Sequence, residues 1–70
     1  METPVTEVDP DDMVSAEDAA KIIKQQVTTL STWRSMGKGP RYIKAGRAVF
    51  YLRSDLRAWL ATQIVDPAAA

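Results

Sequence analysis

Cysteine and histidine are both absent from this chain of 70 residues, and their absence removes most ways of stapling a short protein or making it reactive. Disulfides cannot form, and the usual zinc sites, built from thiolate and imidazole, cannot be assembled. Ser–His and Cys–His nucleophile pairs and histidine acid–base chemistry are excluded for the same reason. An enzyme is therefore not expected, nor a cofactor, a metal or a small-molecule ligand. Long apolar runs are missing too: none approaches the roughly 20 residues that span a bilayer, and the acidic N-terminus has no apolar stretch of signal-peptide type. These features predict a cytoplasmic protein with no membrane partner. Its single core must stabilise it unaided, although a chain this short buries only roughly 60% of its unfolded surface.

Net charge is also lacking, since the nine acids balance the nine bases. The balance conceals a strong segregation along the chain. Residues 1–20 hold seven acids (Glu2, Glu7, Asp9, Asp11, Asp12, Glu17 and Asp18) and no base. Residues 21–60 hold nine bases (Lys21, Lys24, Arg34, Lys38, Arg41, Lys44, Arg47, Arg53 and Arg57) against Asp55, a net of +8. Such a density of positive charge on a small unit attracts a phosphate backbone; its plain alternative is a solvated cationic face without a partner.

Residues 1–12 combine two prolines, five acids and no aromatic, a composition that cannot bury enough apolar area to offset the entropy of ordering. They are expected to be a disordered acidic tail ahead of a domain at 13–65, with 66–70 frayed. Ser15 is a good N-cap for a first helix, with Glu17 and Asp18 in its positive first turn, and Ala19, Ile22 and Ile23 recur at helical spacing beside Ala20. A second helix is expected from about Thr28 to Met36, with Leu30 and Trp33 inward, stopped by Gly37 and by Gly39-Pro40 behind it. Tyr42-Ile43-Lys44 and Val49-Phe50-Tyr51 are β-prone triplets around Ala45-Gly46-Arg47-Ala48 and predict a short hairpin. Ser54 and Asp55 open a third helix with the stripe Leu56, Trp59, Leu60 and Ile64, ending at Asp66-Pro67. The expected core is Val14, Ala19, Ile22, Ile23, Leu30, Trp33, Ile43, Tyr51, Leu56, Trp59 and Leu60.

In this order the motifs resemble a known family. The Trp33-Arg34 pair, the Gly37-Lys38-Gly39-Pro40 turn, Tyr42-Ile43-Lys44, Gly46-Arg47 and Ser54-Asp55-Leu56-Arg57-Ala58-Trp59-Leu60 look like the excisionase and AlpA group of MerR-like winged-helix proteins. Val14-Ser15-Ala16-Glu17-Asp18-Ala19-Ala20 resembles that group's first helix, so the likeness covers about residues 13–62. The chain departs from the pattern between helices 1 and 2, where Lys24-Gln25-Gln26-Val27 replaces the usual Gly-Val-Ser. The resemblance implies a mainly α winged helix-turn-helix fold with a small β-hairpin, in the order helix, helix, wing, helix. It implies an excisionase, or recombination directionality factor, whose copies bind side by side on phage attachment-site DNA. They bend that DNA and direct an integrase toward prophage excision in a bacterial host. A transcriptional regulator of phage or mobile-element genes shares the fold, and a protein-interaction module that never touches DNA is the alternative of another class.

Helix 2 would enter the major groove with Thr28, Thr29, Ser31, Thr32, Arg34 and Ser35. Hydroxyls bond to phosphates and to several base edges, so a single copy should discriminate weakly. Thr28 and Thr29 are read more readily as helix caps, and Arg34 either reaches DNA or pairs with an acid on helix 1. Lys38, Arg41 and Lys44 read as phosphate contacts and Arg47 as a minor-groove contact from the wing tip. Trp33, Trp59 and Tyr51 are spaced as core aromatics. The acidic tail could compete with phosphates, touch a basic integrase surface, or only solubilise the chain.

Overall fold

The computed structural model describes residues 8–68. Strand β1 (Met13–Ser15) runs into helix α1 (Ala16–Ile22), followed by helix α2 (Val27–Met36), strands β2 (Ile43–Ala45) and β3 (Ala48–Leu52), and helix α3 (Arg53–Thr62). Three helices and a small antiparallel sheet thus form a winged helix-turn-helix. The sheet is ordered β1-β3-β2, which adds a strand to the hairpin expected from the sequence. Three residues ahead of a helix carry no periodic signal of their own. They become a strand because β3 offers its free edge, pairing Met13 with Leu52, Val14 with Tyr51 and Ser15 with Phe50.

On the other edge of β3, Ile43 faces Phe50, Lys44 faces Val49 and Ala45 faces Ala48. The loop is therefore Gly46-Arg47 alone, shorter than the four-residue link expected. Gly46 has a φ of 62° and Arg47 does not enter positive φ, the pattern of a type II′ hairpin turn, whose first position favours glycine.

The core joins Val14, Ala19, Ala20, Ile23, Leu30, Tyr51 and Leu56, with Ala16, Trp33, Val49 and Trp59 packed against it. Ile22 and Leu60, both expected inside, are 40% and 38% exposed, and Ile43 is half-buried. The buried face of α1 is centred on Ala19, Ala20 and Ile23, which turns Ile22 outward. Helix α3 stops at Thr62, not at Asp66, where the Gln63 N–H returns to the Leu60 carbonyl at 2.9 Å and the Thr62 hydroxyl donates to the Trp59 carbonyl at 2.6 Å. The β-branched Thr62, Ile64 and Val65 favour helix weakly, and Ile64 is left exposed beyond it.

Helices α1 and α2 end by the same device. The Gln25 N–H donates to the Ala20 carbonyl at 2.8 Å and the Lys24 N–H to the Lys21 carbonyl at 3.2 Å. One helix later the Lys38 N–H donates to the Trp33 carbonyl at 2.9 Å and the Gly37 N–H to the Arg34 carbonyl at 3.2 Å. This paired bonding is the Schellman motif, which needs a left-handed residue. Gly37 supplies it with φ 72°, and Lys24 supplies it with φ 61°. The tight turn survives without its usual glycine because a lysine adopts the glycine conformation.

The Ser15 hydroxyl caps α1 as expected, accepting from the Asp18 N–H at 3.1 Å. Ser54 does not cap α3; it lies inside the first turn. Its backbone N–H and its hydroxyl both donate to Asp12 Oδ2, at 3.2 and 2.7 Å, and Arg53 Nη1 donates to the Asp11 carbonyl at 3.0 Å. Pro10–Asp12 form a single 3-10 turn, begun by Asp9, whose carboxylate accepts from the Asp11 N–H at 2.9 Å. The last residues of the stretch expected to be a disordered tail are thus ordered, because their carboxylate satisfies the start of a helix far along the chain. The Ser54 hydroxyl bond, aided by the Ser54 N–H and by Arg57 and Arg53, holds the Asp12 carboxyl below its ordinary range against a smaller opposing effect of burial. The remainder of that stretch, residues 1–7, lies outside the described residues, as do 69–70. Asp66 accepts from the Ala68 N–H at 3.0 Å in a turn after α3.

Candidate nucleic-acid interface

Helix α2 is divided lengthwise. Val27, Thr28, Ser31, Thr32, Ser35 and Met36 are exposed, whereas Leu30 is buried and Thr29, Trp33 and Arg34 are half-buried. At 3.6 residues per turn the exposed group falls on one half of the helix and the other four on the opposite half. Four of the hydroxyl residues singled out from the sequence, Thr28, Ser31, Thr32 and Ser35, therefore share one outward face. Thr29 and Arg34 do not belong to it.

The capping roles read for Thr28 and Thr29 are not what the structure shows. Gln26 takes the capping position without a side-chain bond, and its carbonyl accepts from the N–H groups of Thr29 and Leu30 at 3.0 and 3.3 Å. The Schellman turn at Lys24-Gln25 closes early enough for helix geometry to begin at Val27, which draws both threonines inside. Ser35 turns its hydroxyl back onto the Thr32 carbonyl at 2.9 Å.

Arg34 does not pair with an acid of helix 1. Its Nη1 donates to the Tyr51 hydroxyl at 2.9 Å, and its guanidinium carbon lies 5.8 Å from the centre of the Tyr42 ring. Between the end of α2 and the wing, Arg34, Lys38, Arg41 and Tyr42 line an open groove of about 410 Å³, floored by Gly37, Gly39 and Pro40. Tyr42, 44% exposed, was not singled out from the sequence, and its β-prone neighbours concealed its place on the groove wall. Arg41 is 82% exposed and reaches Asp55 on α3, Nε to Oδ2 at 3.4 Å; such a surface pair is worth about 0–1 kcal/mol and yields readily to another anion. Lys44 and Arg47 are exposed on β2 and in the loop of the wing.

The aromatics beneath this surface are packing groups. Trp33 and Trp59 lie 5.3 Å apart, tilted by 47°, and Tyr51 is 1% exposed. Gly39 sits so tightly on Trp33 that an added Cβ would lie 2.8 Å from its Cε3. The sheet order separates the charges: β1, with the acidic turn before it, lies on one edge of β3, and β2, with Lys44, lies on the other.

A polar helix joined to its predecessor by a tight turn, with a basic hairpin beside it, defines a winged helix-turn-helix of the DNA-binding class. Sequence comparison agrees: the helix-turn-helix domain family matches residues 13–64, most of the chain, and the protein belongs to that family. The family includes small DNA-binding proteins of the excisionase and AlpA type. No curated protein matches the chain. Among the described residues no helix is long and apolar enough to cross a membrane.

Proposed function

We propose that this protein is a phage excisionase, a recombination directionality factor acting in the cytoplasm of a bacterial host. Copies of it bind side by side on attachment-site DNA, bend the DNA, and direct an integrase toward prophage excision. The observation that carries this reading is the combination of an uncharged, hydroxyl-lined outer face on α2 with Lys38 and Arg41 in the groove at the end of that helix and Lys44 and Arg47 exposed on the wing. Thr28, Ser31, Thr32 and Ser35 meet base edges or phosphates in the major groove, with Val27 and Met36 available to thymine methyl groups. Thr29, half-buried on the other half of α2, stays outside that contact. Lys38, Arg41 and Lys44 hold the backbone, and Arg47 reaches from the wing tip toward the minor groove.

Hydroxyls select bases poorly, so one copy binds weakly and useful occupancy comes from neighbours and from the larger contact of bent DNA. The deciding experiment is excision in vitro with purified integrase, with and without this protein, paired with footprinting of the attachment site. Excision that depends on the protein, over a protected tract longer than one copy covers, is the expected result. Equal excision without it, despite a footprint, would leave the regulator reading in its place; no footprint would leave the protein-interaction module.

A further inference from the structure

The single charged side chain of α2 is already engaged within the fold. Arg34 lies on the inward half of the helix and spans the gap to the wing, where Tyr42 precedes β2 and Tyr51 belongs to β3. One nitrogen of its guanidinium meets the Tyr51 hydroxyl at 2.9 Å while the carbon lies 5.8 Å from the centre of the Tyr42 ring. The two tyrosine rings are themselves 6.2 Å apart at 49°. A guanidinium is planar and its donors form a fixed fork, so two anchors leave it little freedom. Tyr51 is buried and paired with Val14 in the sheet, so the anchor on the wing side is rigid.

We propose that Arg34 is a positioning residue, which holds the wing at one distance and angle from α2 through the Tyr51 hydroxyl and the Tyr42 ring. The hydroxyl face of α2 and the cations of the wing then meet one duplex together, without an ordering cost at the moment of binding. This rests on the DNA-binding reading above and reassigns within it the arginine that the sequence suggested for a base contact. A positioning arginine acts through Tyr51, whereas an arginine bonded to DNA does not depend on it.

The test uses the full chain, a duplex carrying the footprinted site, and Arg34→Ala, Arg34→Lys, Tyr51→Phe and the Arg34→Ala/Tyr51→Phe double variant. Tyr51→Phe keeps the ring and its packing and removes only the acceptor. It should weaken binding roughly fivefold, and adding it to Arg34→Ala should change affinity by less than about twofold, because without Arg34 the Tyr51 hydroxyl has nothing left to hold. Arg34→Lys, which keeps the charge but loses the fork, should group with Arg34→Ala. In the free protein, 15N relaxation should show the Gly46 and Arg47 amides loosened by each single variant. Parent-like affinity for Tyr51→Phe or Arg34→Lys beside a loss for Arg34→Ala would overturn the proposal, as would wing amides that stay as ordered as the parent's. If the parent itself fails to bind the duplex, the reading under Proposed function fails, while the relaxation arm still decides whether Arg34 fixes the wing.

Discussion

Lys24 and Gly37 occupy the same position of the same motif in consecutive helices, so exchanging their chemistry measures one backbone cost twice in one molecule. The left-handed conformation costs an L-residue roughly 1–2 kcal/mol, and glycine, which escapes that cost, loses about 0.5–1 kcal/mol more conformational entropy on folding. The difference leaves Lys24→Gly more stable than Lys24→Ala by about 0.5–1 kcal/mol, with the lysine charge removed from both. Gly37→Ala should lose a similar amount, because a Cβ there meets nothing within 4 Å and only the backbone term remains. For a domain of this size 1 kcal/mol moves Tm by about 4–8 °C. Urea denaturation followed by the fluorescence of the packed Trp33–Trp59 pair reads both changes, and unchanged slopes would confirm that the unfolded ensemble is comparable. A Lys24→Gly protein no more stable than Lys24→Ala would refute the claim that Lys24 holds a strained conformation.

Gly39→Ala should cost more than Gly37→Ala, about 3 kcal/mol, because its Cβ would lie 2.8 Å from Trp33 Cε3 at a φ of 89°, combining overpacking with backbone strain; the same urea series checks it. Asp12 is more acidic when folded, so its contribution is complete above the ordinary aspartate pKa of about 4 and disappears as pH falls through the lower folded value. Asp12→Ala should therefore lower Tm at neutral pH and reduce the fall of Tm on acidification, as followed by circular dichroism from neutral to acid pH. Lys44→Ala and Arg47→Ala should each reduce the slope of log affinity against log salt by about 1, on specific and random duplexes alike. Arg57→Ala, on α3 near Asp12, should leave that slope unchanged in the same anisotropy titration.

What the sequence determined by itself is whatever depends on neighbours a few residues apart. The Ser15 cap, the Gly37 stop, the glycine of the wing turn, the helical spacing of Leu30 and Trp33, and the segregation of charge were all legible, because each is set by local backbone preference or simple succession. The hydroxyl face was legible for Thr28, Ser31, Thr32 and Ser35 opposite Leu30 and Trp33, but not the inward turn of Thr29 and Arg34. Tertiary structure alone decided the rest. Met13–Ser15 is a strand only beside β3, Ser54 is held by a carboxylate 42 residues away, and Arg34 finds its acceptor on the wing, 17 residues on. Lys24 accepts a left-handed conformation because packing α1 against α2 demands a tight turn more strongly than a lysine resists it. For Met13–Ser15, Ser54 and Arg34 the partner is distant in the chain and becomes a neighbour only when the core around Tyr51, Leu30 and Leu56 has closed.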